Sequence, residues 1–267
     1  MALVFAALLG VVQGLSEFLP VSSSAHLILA RAFFGWDGEA FGLAFDVACH
    51  VGNLAAVVFY FRDDLAAMVR AVPALFSGTP EARRIWLIGI GTVPAVVVGL
   101  LFADVIEHRL RTPAVTAWTL AIGALGLLWV ERLSPRTRDE HGVRPGEALA
   151  IGAAQASALV PGVSRSGATI TVGMLLGLRR DAAARFSFLL GVPAILAAAG
   201  KEGIQLVRTG LGPADAQLFA VGMASSAVVG YLTIKYFLRY LAAHRLDVFA
   251  YYRLALAAAV VVWALAR

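Results

Sequence analysis

The chain has 267 residues, of which 60% are apolar and only 15% charged, with a mean hydropathy of +0.81. Soluble globular domains run about 45–50% apolar and roughly 25% charged, so this composition excludes a fold that covers itself with water and points to lipid as the solvent. The net charge of +5 implies no nucleic-acid partner, because the cations sit in short connections and form no patch.

A membrane-spanning helix needs about 20 mostly apolar residues. The first apolar stretch, 3–30, is interrupted at its centre by Glu17, Pro20, Ser22, Ser23, Ser24 and His26. It lacks the basic n-region and small-residue cleavage site of a signal peptide, so we expect it to belong to the fold. Gln13 and Glu17 are four apart and share a helix face, and Pro20 stops that helix. The three serines then offer N-caps for a second half-helix, with His26 in its first turn.

Residues 41–61 form the first uninterrupted span, with Asp46, His50 and Asn53 at i, i+4 and i+7 on one face. That face reads either as support for a site or a metal, or as hydrogen bonding between helices. Cys49 is the only cysteine, which excludes an intramolecular disulfide. Spans at 85–103 and 114–130 follow. The stretch 148–178 is the second interrupted one: Pro161-Gly162 breaks it, and Ser164-Arg165-Ser166-Gly167 opens its second half. Spans at 186–200, 214–234 and 247–264 complete an all-α polytopic membrane protein of six spanning helices and two broken ones. Arg179, Arg180 and Asp181 read as an ordinary basic loop.

Lys and Arg are unevenly distributed among the connections. Arg62, Arg70, Arg83 and Arg84 fall in 62–84, and Arg132, Arg136, Arg138 and Arg144 in 131–146. Arg179, Arg180 and Arg185 fall in 179–185, and Lys235, Arg239 and Arg245 in 235–246. The alternate connections hold only Arg31, then Arg109 and Arg111, then Lys201 and Arg208, and last Arg267. The positive-inside rule puts the richer set in the cytoplasm. This works only if 3–30 dips in from outside and 148–178 from inside, each returning to its own side, a backbone tolerated where protein or a water-filled cavity surrounds it.

The two interrupted stretches also resemble each other. Gly10 matches Gly152, Gln13 matches Gln155, and Pro20 matches Pro161 with one residue dropped; Val-Pro-Ala follows each, at 93–95 and 192–194. We read an inverted-topology repeat within one membrane domain, with halves of roughly 1–130 and 147–267. Such repeats place their binding site at the midplane between the halves.

At that midplane two half-helix N-termini, suited to phosphate or carboxylate, would meet Arg165, whose guanidinium fork suits phosphate oxygens. An ionisable group at membrane depth is a functional-site hypothesis by default, yet Glu17 and Arg165 also read as an ion pair fastening the halves. His26 and the serines also read as turn and helix caps.

QGLSEFLPVSSSAH at 13–26, PGVSRSGATIT at 161–171 and FDVACHVGNLAAVVFYFRDD at 45–64 resemble the bacterial undecaprenyl-diphosphatase (BacA) family over nearly the whole chain. The resemblance implies hydrolysis of undecaprenyl diphosphate to undecaprenyl phosphate and phosphate, which recycles the cell-wall carrier lipid. It also implies a divalent cation, Mg²⁺ before Ca²⁺, and an active site in the bacterial inner membrane opening to the periplasm. Carried over by position, Glu17 is the motif's acid, His26 its histidine, Ser23 the candidate nucleophile and Arg165 the phosphate-binding arginine.

Gln13, Ser22, Ser24, Ser164 and Ser166 would bind substrate, with Asp46 and His50 behind them. We expect Arg165 with Ser164 or Ser166 to hold the diphosphate, Ser23 or a water to attack, His26 to move the proton, and Glu17 to orient His26 or the metal. Gln13 stands where many members have a first glutamate, Ser16 where threonine is usual and Ala25 where glycine is usual. A metal would therefore rely on Glu17, the Gln13 carbonyl and the substrate's phosphates, which suits Mg²⁺. A transporter or flippase of polyprenyl phosphate fits the same architecture, and a homodimer is left open.

Overall fold

The computed structural model describes residues 1–34, 41–209 and 212–265. They form helices α1 (Ala2–Phe18), α2 (Ser23–Phe34), α3 (Leu43–Tyr60), α4 (Arg62–Ala71), α5 (Pro80–Val105) and α6 (Pro113–Leu133). Then come α7 (Pro145–Ser157), α8 (Arg165–Leu175), α9 (Arg180–Thr209), α10 (Pro213–Ala243) and α11 (Asp247–Leu265). No strand occurs among the described residues beyond an isolated bridge between Arg138 and Leu178. The protein is an all-α, multi-pass membrane protein.

Helix starts follow local chemistry. Thr79 and Thr112 cap α5 and α6, accepting from the amides of Ala82 and Val115, with proline at the first helical position of each. That position suits proline because its missing N–H would have been unpaired. Helices α5, α6, α9, α10 and α11 are each long and apolar enough to cross a membrane. The sixth expected span, 41–61, is α3, and the chain turns by 80° into α4, which buries none of its residues.

Both interrupted stretches are folded as V shapes. The second leaves and returns to one place: Arg138 holds Glu147, at the start of α7, at 2.9 Å and the Leu176 carbonyl, at the end of α8, at 2.8 Å. In the first, Ala6 and Leu9 of α1 pack in one cluster with Leu27 of α2 and Phe45 at the start of α3.

The two V shapes come from opposite ends of the bundle. Ion pairs join connections 62–84, 131–146 and 179–185 at one end, and 235–246 reaches Glu131 there through Arg245. Asp64 pairs with Arg84 and Arg185, Glu140 with Arg185, and the buried Glu131 with Arg136 and Arg180. Asp46, at the far end of α3, pairs instead with Arg31 and with Arg111.

Glycine sets the closest helix approaches. A Cβ on Gly10 would strike Gly222 and Ser225 of α10, and one on Gly152 would strike the backbone of Gly91 in α5. Such small-residue contacts are the usual means of tight packing in lipid. The matched glycines of the two stretches therefore do the same work against different partners. The Val-Pro-Ala triplets do not correspond: they fall in α5, which packs on α7, and in α9, which packs on α3 and α8.

Candidate active site at the two helix breaks

The tips of the two V shapes touch. Ser166 Oγ donates to the Leu19 carbonyl at 2.8 Å, and the Gly162 amide donates to Ser24 Oγ at 3.5 Å. Each tip ends on a serine with left-handed backbone, Ser22 at φ 73° and Ser164 at φ 72°. A non-glycine residue in that region costs on the order of 1–3 kcal/mol and persists only where its surroundings over-determine it. The two serines precede Ser23 and Arg165, the first residues of α2 and α8.

Those two residues converge on Glu17, which is buried in the last turn of α1. Ser23 Oγ donates to Glu17 Oε2 at 2.7 Å, and Arg165 Nη2 donates to Oε1 at 2.9 Å. Gln13 Nε2 donates to Oε2 at 2.9 Å, and His50 Nδ1 lies 3.3 Å from the same oxygen. Gln13 and His50 are themselves 3.0 Å apart. Arg165 Nη1 reaches the Ser187 carbonyl of α9 at 3.4 Å, and the Ser187 hydroxyl contacts Thr169 at 2.5 Å. Removing one partner of such a buried pair leaves an uncompensated charge, at about 3–5 kcal/mol.

The caps also follow local chemistry. Ser164 Oγ accepts from the Gly167 amide at 3.1 Å and lies 3.3 Å from Ser166 Oγ, while Ser22 Oγ lies 3.2 Å from Ser24 Oγ. The capping reading and the site reading of these serines are thus compatible.

Two residues stand elsewhere than the sequence led us to expect. His26 does not face Ser23 or Glu17. Its Nδ1 lies 2.7 Å from the Ser22 carbonyl and its Nε2 2.7 Å from Tyr252 Oη of α11. A carbonyl only accepts, so Nδ1 carries the proton and Nε2 accepts from Tyr252. These two contacts hold the ring against α11. It is His50 on α3 that faces the carboxylate. Asp46 lies one turn from His50 but is drawn to Arg31 and Arg111 at the bundle end; it makes no contact with the Glu17 cluster.

Sequence reasoning found α11 as a span but missed its part in the site. Besides Tyr252 it supplies Arg253, 1% exposed, whose guanidinium is bonded among the described residues only to backbone carbonyls of the two tips and α6. The available signal was a lone arginine inside an apolar span.

A cation would find one carboxylate here and one amide oxygen. No cluster of three His, Cys, Asp or Glu side chains exists among the described residues, but Gln13 Oε1 is buried without a hydrogen-bond partner. Glu17 and Gln13 thus fit a hard cation whose remaining ligands come from phosphate oxygens.

The family model described as bacitracin resistance protein BacA matches residues 6–259. A Rubrobacter xylanophilus protein named undecaprenyl-diphosphatase is 50% identical over 260 residues, 96% of each chain. Undecaprenyl-diphosphatase 2 of Stutzerimonas stutzeri is 48% identical over 261 residues, 95% of each chain. A Thioalkalivibrio sulfidiphilus protein of the first name is 47% identical over 253 residues, 94% of each chain. With the match running from α1 through α11, the chain belongs to the BacA family of bacitracin resistance proteins.

Proposed function

We infer that the protein is a membrane phosphatase that hydrolyses undecaprenyl diphosphate to undecaprenyl phosphate and inorganic phosphate, returning the cell-wall carrier lipid to use. The relatives' names support this. The observation that carries it is Glu17, which bridges Ser23 and Arg165, the first residues of two half-helices from opposite sides. A carboxylate accepting from a hydroxyl beside a guanidinium is suited to phosphoryl transfer, which needs positioning and neutralisation of charge on the transferred group.

In this reading the diphosphate sits at the N-termini of α2 and α8, held by Arg165 and the serines of both tips. Ser23 Oγ attacks the terminal phosphorus while Glu17 takes its proton. A bond forms from Ser23 Oγ to phosphorus, the bridging P–O bond breaks, and undecaprenyl phosphate leaves. Glu17 gives that proton to the departing bridging oxygen, and the carboxylate so restored deprotonates the water that releases phosphate from Ser23; a water attacking in place of Ser23 would use the same carboxylate. Glu17 and Gln13 would hold a divalent cation, which when bound neutralises charge on the phosphates. His26, held between the Ser22 carbonyl and Tyr252 Oη, is proposed to fix the turn that precedes the nucleophile.

We assign the site to the bacterial inner membrane with its mouth on the periplasmic side, supported by the basic network that gathers at the opposite end. The crosswise packing of α1 on α10 and of α7 on α5 supports the repeat and its halves.

The test is phosphate release from a polyprenyl diphosphate by the purified protein. Arg165→Lys keeps the charge but loses the fork, so kcat should fall about 10²-fold with a much smaller change in KM, since the lost interaction strengthens in the transition state. Wild-type protein that binds the lipid but releases no phosphate would make it a transporter.

A further inference from the structure

Among the described residues Arg253 is the largest fully buried side chain, two turns into the apolar helix α11. Among the described residues no carboxylate pairs with it; its Nε donates to the Leu120 carbonyl at 3.1 Å and its Nη1 to the Pro20 carbonyl at 3.2 Å. Its Nη2 lies 3.1 Å from each of the carbonyls of Thr119, Gly162 and Val163. One guanidinium thus binds the break of the first V, the break of the second V, and α6. A buried cation is costly unless hydrogen-bonded, and here the chain has bent the carbonyls of both breaks to meet it.

Space for the group is kept by glycine on two sides. A Cβ on Gly123 of α6, or on Gly167 in the first turn of α8, would press on the guanidinium.

A second contact mirrors this one. Thr119 Oγ1 on α6 donates to the Pro161 carbonyl at 2.6 Å. Thr119 and Arg253 are each the seventh residue of their helix, counted from Pro113 and Asp247. The last helix of each half therefore grips the proline carbonyl in the break of the other half. Only the α11 side carries a charge.

We propose that Arg253 is a positioning residue for phosphoryl transfer, locking the two tips in register so that Ser23 and Arg165 meet at Glu17, and lending positive potential to the anion site above it. The proposal rests on the phosphatase reading and adds to it a residue that touches no reacting atom. A shift of about 1 Å in a reacting group can cost on the order of 10²-fold in rate, so the lock should act on kcat.

The test compares Arg253→Lys and Arg253→Met with the wild type, reading phosphate release and melting temperature in detergent. Lys retains the charge, but its single nitrogen cannot span both breaks. We expect Arg253→Lys to lose about 10-fold or more in kcat with KM within about 3-fold. Arg253→Met should lose as much in kcat and also raise KM, because the potential is gone. Recovery of wild-type KM but not kcat by Lys separates this role from a merely structural one, which would move melting temperature and active fraction alone.

Should both variants fail to fold, Gly123→Ala decides, because it displaces the guanidinium without removing a polar group. It should lower kcat several-fold while the fold stays intact. Wild-type kcat in folded Arg253→Lys, or in Gly123→Ala, would overturn the proposal and leave the phosphatase reading standing. Wild-type protein that releases no phosphate would sink the phosphatase reading first.

Discussion

Both oxygens of Glu17 are engaged: one faces Arg165, the other Ser23, Gln13 and His50. Glu17→Gln keeps the shape but removes the proton acceptor and leaves Arg165 without its counter-ion. Phosphate release should drop about 10²–10⁴-fold, the range of general acid–base catalysis. His26→Ala should cost less, on the order of 10-fold, because His26 contacts Ser22 and Tyr252 and neither Ser23 nor Glu17. Equal losses in the two variants would return His26 to the role of direct base.

Gln13, Glu17, Ser23 and Arg165 were readable because each lies next to a break that Pro20 or Pro161 announces. The roles of Tyr252 and Arg253 were not, since their partners lie between 90 and 233 residues away, and period and propensity carry no long-range information. His26 was expected to move the proton, but its ring is held by the Ser22 carbonyl and Tyr252 of α11.

Among the elements, the two V shapes are alike in backbone and unlike in chemistry. Gln13 has Glu17 four residues on, whereas its match Gln155 has Leu159 there, and both ends of the buried Gln155 amide lack a partner. The acid belongs to the first V and the guanidinium to the second, so neither is a site alone.

Their seating on neighbouring helices depends on glycine. Gly152→Ala drives a methyl into the Gly91 backbone and should destabilise by about 1–3 kcal/mol, as overpacking does. Gly89→Ala, on the same α5 but facing open space, should leave the melting temperature unchanged or raise it slightly. A melting temperature equally low in both variants would mean that the α5–α7 contact is not what limits stability. The glycine match was legible as a pattern; that it marks the closest approach to another helix became visible only with both partners placed. The Val-Pro-Ala match had the same appearance in sequence and marks non-equivalent helices, because three common residues recur by chance more readily than a glycine that backbone contact demands.

At the scale of the whole molecule, the charge count and the packing agree on which connections share an end, but only the positive-inside rule says which end faces the cytoplasm. Helix α5 separates the two sides: it runs 26 residues, from Pro80 to Val105, about 39 Å at 1.5 Å per residue. Ser77 precedes it at the basic end and Arg109 follows it at the other, both exposed. Cys49 is buried and the only native cysteine, so Cys49→Ala gives a background free of thiols.

In that background Arg109→Cys should react with a membrane-impermeant maleimide in intact cells stripped of their outer barrier, whereas Ser77→Cys should react only after lysis. The reverse pattern would turn the molecule over, placing the mouth of the site on the cytoplasmic side and giving the enzyme a substrate pool on the wrong leaflet for carrier recycling. Labelling at both positions before lysis would contradict a spanning α5 itself. Because the two V shapes enter from opposite ends, the reverse pattern would also reassign which V, the one bearing Glu17 or the one bearing Arg165, opens to the side where the diphosphate arrives.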